Sequence, residues 1–252
     1  MELTLQTILI ILGVGFISGF INTISAGGSF ITLPVLILLG VPPHVTNASN
    51  RVAIVLQSAA SCILYYSQNI LNVKKSLYLA IPSILGSIIG AYLAVYIDAD
   101  IFKKLIGVFM IVTIFMMVFK PDRWIATKSR HKHETLSGGE FIVFVGIGMY
   151  GGFIQAGVGA LLLTGMVLVG HFDLKNANAI KMALSFLFNV SSLTIFLING
   201  LVDWGVGLAL AVGSIIGALL GTKISIKGGA RFTRWALIIT LIGLSGQLLN
   251  IW

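Results

Sequence analysis

Long apolar runs separated by short polar segments fill this chain almost from end to end. Most runs approach or exceed the roughly 20 apolar residues that a membrane-spanning helix needs. They are continuous rather than alternating, which favours helices over a membrane β-barrel. The pattern predicts an all-α polytopic membrane protein. The runs lie at residues 5–24, 29–40, 45–66, 76–97, 101–119, 140–157, 160–170, 177–198, 204–222 and 231–251.

The chain contains an internal duplication. The string Gly-Ser-Ile-Ile-Gly-Ala-x-Leu occurs at 86–93 and again at 213–220, and self-similarity of this kind marks a repeat. An offset near 130 then aligns Arg51 with Lys181. We expect the paired glycines of the string to pack helices closely and to hold each half together. The predicted units are repeat 1 (1–119), a basic linker (120–138) and repeat 2 (139–252).

Composition narrows the class further. Hydrophobic residues make up 57% of the chain and charged residues 10%, against about 25% charged residues in soluble domains. The net charge of +8 comes from cations in short loops and at helix ends, so we expect a lipid bilayer and no nucleic acid as partner. The single cysteine, Cys62, excludes an intrachain disulfide and a multi-cysteine metal site. We expect no metal and no cofactor.

Loop charges predict the orientation of the two halves. The linker is the most basic loop and belongs in the cytoplasm. Working outward from it, Lys74 and Lys75 fall inside, while their counterpart near Asp203 falls outside. The repeats are therefore predicted to be inverted. Each would contain a glycine-broken helical hairpin, crossing twice or re-entrant, plus three spanning helices. The protein would be multi-pass in the inner cell membrane with both termini outside.

Two glycine-rich breaks are the first candidates for chemistry. A single helix from 5 to 40 would be about 54 Å long, well beyond a hydrocarbon core of about 30 Å, so the chain must turn at 26–28. The counterpart of this break lies at 157–159. Each short helix then begins with free N–H groups that attract anions, and paired breaks of this kind indicate a transporter site. The alternative is glycine used only for tight packing.

Arg51 and Lys181 are the second candidates, because charges inside a membrane are costly and often functional. All eight carboxylates of the chain lie in predicted loops or at helix ends. An exchangeable anion could therefore pair with the two cations. The alternative is that both side chains snorkel to the membrane surface.

Amide and hydroxyl side chains accompany these features on the same helix faces. They could hold an oxyanion, or they could equally bond neighbouring helices. The predicted substrate-binding residues are Asn22, Ser25, Gly27, Gly28, Ser29, Asn47, Asn50, Arg51, Gln155, Gly157, Gly159, Asn178, Lys181, Ser185 and Asn189.

The glycine motifs carry a family resemblance. Repeat 1 reads Gly15-x-x-Ser18-Gly19 and then Ala26-Gly27-Gly28-Ser29, followed by Pro34 and Gly40. Repeat 2 reads Tyr150-Gly151-Gly152-Phe153 and then Gly157-x-Gly159. With this paired arrangement the chain resembles the sulfite exporter TauE/SafE family of membrane permeases over almost its whole length. The resemblance implies transport of small sulfur-containing or organic anions across the cytoplasmic membrane.

We therefore expect a permease for small anions, with one inverted repeat rocking against the other. An anion channel and a non-transporting membrane assembly factor remain as alternatives. No sequence motif of a hydrolase, a P-loop or a metalloprotease is present, so we do not expect an enzyme. A homo-oligomer is compatible with the sequence.

Overall fold

The computed structural model describes residues 4–24, 27–102, 104–108, 137–168, 172 and 174–248. These parts of the chain are helices joined by short turns. Most of the predicted linker lies outside the described residues. Residues 99–102 and 104–108 are helical, but most of the helix predicted at 101–119 also lies outside the described residues. The remaining helices are α1 (Leu5–Ile24), α2 (Ser29–Leu38), α3 (Pro43–Ser67), α4 (Val73–Tyr96), α5 (Gly138–Phe153), α6 (Val158–Leu168), α7 (Leu174–Ile198) and α8 (Trp204–Leu248).

Several helices have the length and composition of membrane spans. Candidate spans lie at Leu5–Ile24, Val73–Tyr96, Asn176–Ile198 and Trp204–Lys227. Large apolar side chains remain exposed on the outer surface, such as Ile63 at 71% and Ile142 at 72%. An exposed apolar surface of this extent suits contact with lipid rather than water. The chain is a multi-pass membrane protein.

The two short helices are long enough to cross only about half of a bilayer. α2 has 10 residues and α6 has 11, which gives lengths of roughly 15 Å and 17 Å. The predicted break before each of them is present. Pro34 lies inside α2, and Pro42 and Pro43 follow it and fix the start of α3.

The repeated string packs each helix that carries it against a helix of the other half. A Cβ added at Gly213 or Gly217 would meet the main-chain oxygen of Leu12 or Phe16, so α8 lies directly on α1. The contacts advance together along both helices, which shows that α1 and α8 run parallel.

The first copy of the string behaves in the same way on α4. A Cβ at Gly86 or Gly90 would meet the main chain of Val145 or Met149 on α5, and these helices also run parallel. The prediction that the string holds each half together is therefore wrong: its glycines join repeat 1 to repeat 2. Only glycine allows two helix backbones to approach this closely.

α3 and α7 lie at the centre and run in opposite directions. Near the start of α3, Arg51 bonds Ser192 late in α7, and near its end, Tyr65 bonds Asn178 early in α7. Both helices have 25 residues, and their bounds correspond at an offset of 131 rather than 130. Lys181 therefore corresponds to Asn50 and not to Arg51.

The end of repeat 2 differs from the prediction. We expected helices at 204–222 and 231–251 with a basic turn between them, whereas α8 continues without a break through that turn to Leu248. The turn sequence contains no proline, and Gly228 and Gly229 cost a helix only about 1 kcal/mol each. The predicted third spanning helix of repeat 2 is therefore not a separate helix.

Candidate functional site

A small cavity lies between α3 and α7, close to the ends of both glycine-broken hairpins. It has a volume of about 20 Å³, enough for one or two water molecules. Residues from both repeats contribute to its wall. The lining residues are Asn22, Ser29, Ile54, Gln57, Ser58, Gln155, Gly157, Val158, Gly159, Lys181, Met182 and Ser185.

The first break turns the chain back on itself at the C-terminal end of α1. The Oδ1 atom of Asn22 accepts a hydrogen bond of 2.8 Å from the N–H of Gly28, which ties the start of α2 to the end of α1. Gly28 leaves no room for a side chain, because a Cβ there would meet Ser18 and Asn22. Asn22 and Ser29 thereby reach the cavity.

The second break contains two residues in the left-handed backbone conformation. Gln155 has φ 68° and Gly157 has φ 71°. Glycine adopts this conformation freely, but for a residue such as glutamine it costs on the order of 1–3 kcal/mol and tends to occur at functional sites. The turn brings the Gln155 side chain and the N-terminal end of α6, at Val158 and Gly159, to the cavity wall.

Lys181 is the one ionisable side chain among the described lining residues of the cavity. Its side chain is 1% exposed, and its Nζ donates a hydrogen bond of 2.8 Å to the main-chain oxygen of Asn22. That oxygen belongs to the last turn of α1, where carbonyls have no partner within the helix and the helix dipole favours a cation. Of the carboxylates that the structure describes, none lines the cavity.

Arg51 is also buried, with 0% exposure, but it has other partners. Its Nη1 donates to Asn189 Oδ1 at 3.1 Å and to Ser192 Oγ at 2.8 Å, and its Nη2 donates to the main-chain oxygen of Gly152 at 2.6 Å. The guanidinium also lies 4.9 Å from the ring centre of Phe196. Neither Arg51 nor Lys181 reaches the protein surface, so the snorkelling alternative is wrong.

The cavity wall contains buried polar atoms without hydrogen-bond partners in the described part of the chain. They are the Oε1 atoms of Gln57 and Gln155 and the Oγ atom of Ser58. Buried polar groups are nearly always paired, and an unpaired one costs about 1–3 kcal/mol. Three such atoms around one cavity indicate that it is built to hold a polar occupant.

Two buried hydrogen-bonded clusters flank the cavity along α3 and α7. Next to the start of α3, Asn47 Nδ2 donates a 2.8 Å hydrogen bond to the main-chain oxygen of Phe153, beside the hydrogen bonds of Arg51. We call this the Arg51 cluster. Towards the end of α3, Asn178 Nδ2 donates to the Thr23 main-chain oxygen at 2.8 Å and to Tyr65 and Ser225 at 2.9 and 3.0 Å. We call this the Asn178 cluster.

The predicted site residues separate into two groups in the structure. The cavity brings together Asn22, Ser29, Gln155, Gly157, Gly159, Lys181 and Ser185. Ser25 lies outside the described residues. The others do not line the cavity: Gly27, Gly28, Asn47, Asn50, Arg51, Asn178 and Asn189.

The sequence prediction missed Gln57, although a signal for it was present. Asn50, Ile54, Gln57 and Ser58 recur at helical spacing on one face of α3, and Gln57 is 1% exposed. A glutamine on the buried stripe of an intramembrane helix needs a partner there.

Known proteins match this chain over almost its whole length. Residues 11–248 match the family described as "Sulfite exporter TauE/SafE". The chain is 30% identical to "Probable membrane transporter protein ORF9" of Sinorhizobium sp, over 93% of this chain and 89% of the relative. It is 28% identical to a "Probable membrane transporter protein" of Haemophilus influenzae, over 95% and 93%. It is 25% identical to "Probable membrane transporter protein YfcA" of Escherichia coli K12, over 94% and 87%. No solved structure matches.

Proposed function

Since the chain belongs to the sulfite exporter TauE/SafE family, whose members are membrane transporters and not enzymes, we propose that it is a permease for small anions. The proposed substrates are sulfur-containing oxyanions or organosulfonates. The observation that carries this proposal is the charge of the cavity. Lys181 lines it without a carboxylate among the described lining residues, so a bound anion would supply the missing counter-charge.

The proposed binding groups surround that charge. The hydroxyl groups of Ser58 and Ser185 and the amides of Gln57 and Gln155 offer hydrogen bonds to an oxyanion. The N-terminal end of α6, at Val158 and Gly159, adds the positive end of a helix dipole. We assign Arg51, Asn47, Asn178 and Asn189 supporting roles, because the structure gives them protein partners away from the cavity.

We also propose that the chain consists of two inverted repeats. The antiparallel directions of α3 and α7, which correspond in length and in sequence, support this arrangement. So does the exchange of partners, in which α1 pairs with α8 and α5 with α4. In the proposed topology the linker and the end of α3 face the cytoplasm, and the N-terminus lies outside.

Transport is proposed to follow alternating access between two bodies, one made of α1, α3 and α8 and the other containing α4 and α5. α1 and α3 pack on α8 through Gly213, Gly217 and Gly207. α5 packs on α4 through Gly86 and Gly90. Because these contacts are tight and the α3–α7 interface is polar, movement is expected at that interface. Opening the Asn178 cluster would expose the cavity to the cytoplasm, and opening the Arg51 cluster would expose it to the outside.

Counterflow in liposomes tests this function. Purified protein is reconstituted into vesicles loaded with unlabelled sulfite, methanesulfonate or acetate, and uptake of the same labelled anion is followed at trace concentration. A carrier gives transient accumulation above equilibrium in loaded vesicles only. Uptake that does not depend on the internal anion indicates a channel. No uptake above protein-free vesicles with any of these anions contradicts the proposed function.

A further inference from the structure

We propose that the cavity selects anions of a single negative charge and rejects dianions of the same shape. This inference rests on the proposed function and adds the charge class of the substrate. Two observations carry it: among the described residues, one cationic side chain lines the cavity, and the other buried cation is held elsewhere.

The described lining residues contain one charged group. Lys181 is that group, and the other lining side chains are neutral amides, hydroxyls and apolar groups. A bound monoanion and the ammonium together are neutral. A bound dianion would leave one negative charge buried without a counter-charge.

Arg51 cannot supply that second charge in this conformation. Its Nη1 and Nη2 atoms already donate to Asn189, Ser192 and Gly152, and the guanidinium lies over the Phe196 ring. The free nitrogen of its side chain is Nε, which is buried and has no partner in the described residues. Arg51 does not line the cavity, so recruiting it would break the Arg51 cluster.

Burial makes this difference in charge large. Water and salt screen an unpaired charge at a protein surface, but they do so much less in a closed interior. Lys181, Gln57 and Ser58 are at most 1% exposed, so a charge bound against them lies away from bulk water. Neutral dipoles can spread part of a second negative charge, but they cannot cancel it.

Two probes of matched shape test the charge directly. Counterflow of labelled methanesulfonate is competed by unlabelled methanesulfonate and by sulfate, which is also tetrahedral but doubly charged. We expect sulfate to be weaker by about 100-fold or more, which corresponds to about 2.8 kcal/mol. Methylphosphonate is then compared at pH 6 and pH 8.5, because it loses its second proton across this range while methanesulfonate keeps one charge. Its competition relative to methanesulfonate should fall about tenfold or more at the higher pH.

Equal competition by sulfate and methanesulfonate overturns the inference and leaves the proposed function intact. A constant ratio of methylphosphonate to methanesulfonate competition at both pH values does the same. Using the ratio corrects for any effect of pH that changes the affinity for both probes equally. Absence of counterflow with methanesulfonate, sulfite and acetate contradicts the proposed function, and this inference with it.

Discussion

Lys181 donates a 2.8 Å hydrogen bond from Nζ to the main-chain oxygen of Asn22, so a cation of repeat 2 binds the C-terminal end of the first helix of repeat 1. Arg51 makes the reciprocal contact, donating to the main-chain oxygen of Gly152 near the end of α5. Each buried cation therefore stabilises a helix end at the glycine break of the opposite half. The two differ in what surrounds them, because Lys181 lines the cavity and Arg51 does not.

Removing the Arg51 side chain is expected to destabilise the fold. In Arg51→Gln, the glutamine amide can replace only some of the hydrogen bonds that the buried acceptors of Asn189, Ser192 and Gly152 receive. Breaking a buried charged network costs about 3–5 kcal/mol. At roughly 2–4 °C for each kcal/mol, thermal unfolding in detergent should begin on the order of 10 °C lower. Lys181→Gln is the matched comparison and should lower the unfolding temperature less, because Lys181 donates one hydrogen bond in the described residues whereas Arg51 donates three. Equal unfolding temperatures for wild type and Arg51→Gln contradict the supporting role.

The glycines of the repeated string are expected to resist even the smallest side chain. Gly90→Ala and Gly217→Ala place a methyl group against the main chain of Met149 and Phe16, respectively. Overpacking of this kind costs about 1–3 kcal/mol, so both variants should unfold at lower temperature and lose counterflow.

Gly13→Ala and Gly146→Ala are the controls for the string glycines. An added Cβ at either position meets nothing within 4 Å, so these variants should match the wild type or unfold slightly later. Equal unfolding temperatures in all four variants would contradict the close helix pairing between halves.

Loosening the Asn178 cluster should open the cavity towards the cytoplasm. Asn178→Ala removes three hydrogen bonds, each worth about 0.5–1.5 kcal/mol, and a shift of about 1.4 kcal/mol changes an equilibrium tenfold. In a Cys62→Ser background, a reporter at Ser58→Cys should then react about tenfold faster with a membrane-impermeant maleimide added from the cytoplasmic side.

Two comparisons make this labelling result specific. Asn199→Ala changes an exposed asparagine and should leave the rate unaltered. Labelling of the Asn178→Ala protein should not increase from the outer side. An increase from the outer side alone would reverse the assignment of the two clusters.

The sequence predicted much of this fold because glycine breaks and apolar runs act locally. The bounds of α1 were predicted without error, and α2 begins at Ser29 as expected. The helix partners of the repeated string could not be predicted, because its glycines specify a close approach but not which helix approaches. The uninterrupted α8 was missed because a basic segment with two glycines is compatible with both a loop and a helix.

The different roles of Arg51 and Lys181 could not be predicted for a geometric reason. Their alignment used an offset of 130, whereas the helices correspond at 131. One residue rotates a side chain by about 100° around a helix, which decides whether it faces the cavity or the neighbouring helix. Gln57 and Ser58 show a related point, since the structure brings them from α3 to the same cavity as Lys181 of α7.

The central claim is that Lys181 binds the transported anion, and equilibrium binding of labelled methanesulfonate to the purified protein tests it most directly. Lys181→Gln should weaken binding by about 100-fold or more, which corresponds to about 2.8 kcal/mol, in protein that remains folded at the temperature of the binding measurement. Lys74→Gln, at an exposed lysine, is the control and should bind like the wild type. Binding by Lys181→Gln with wild-type affinity would contradict the account.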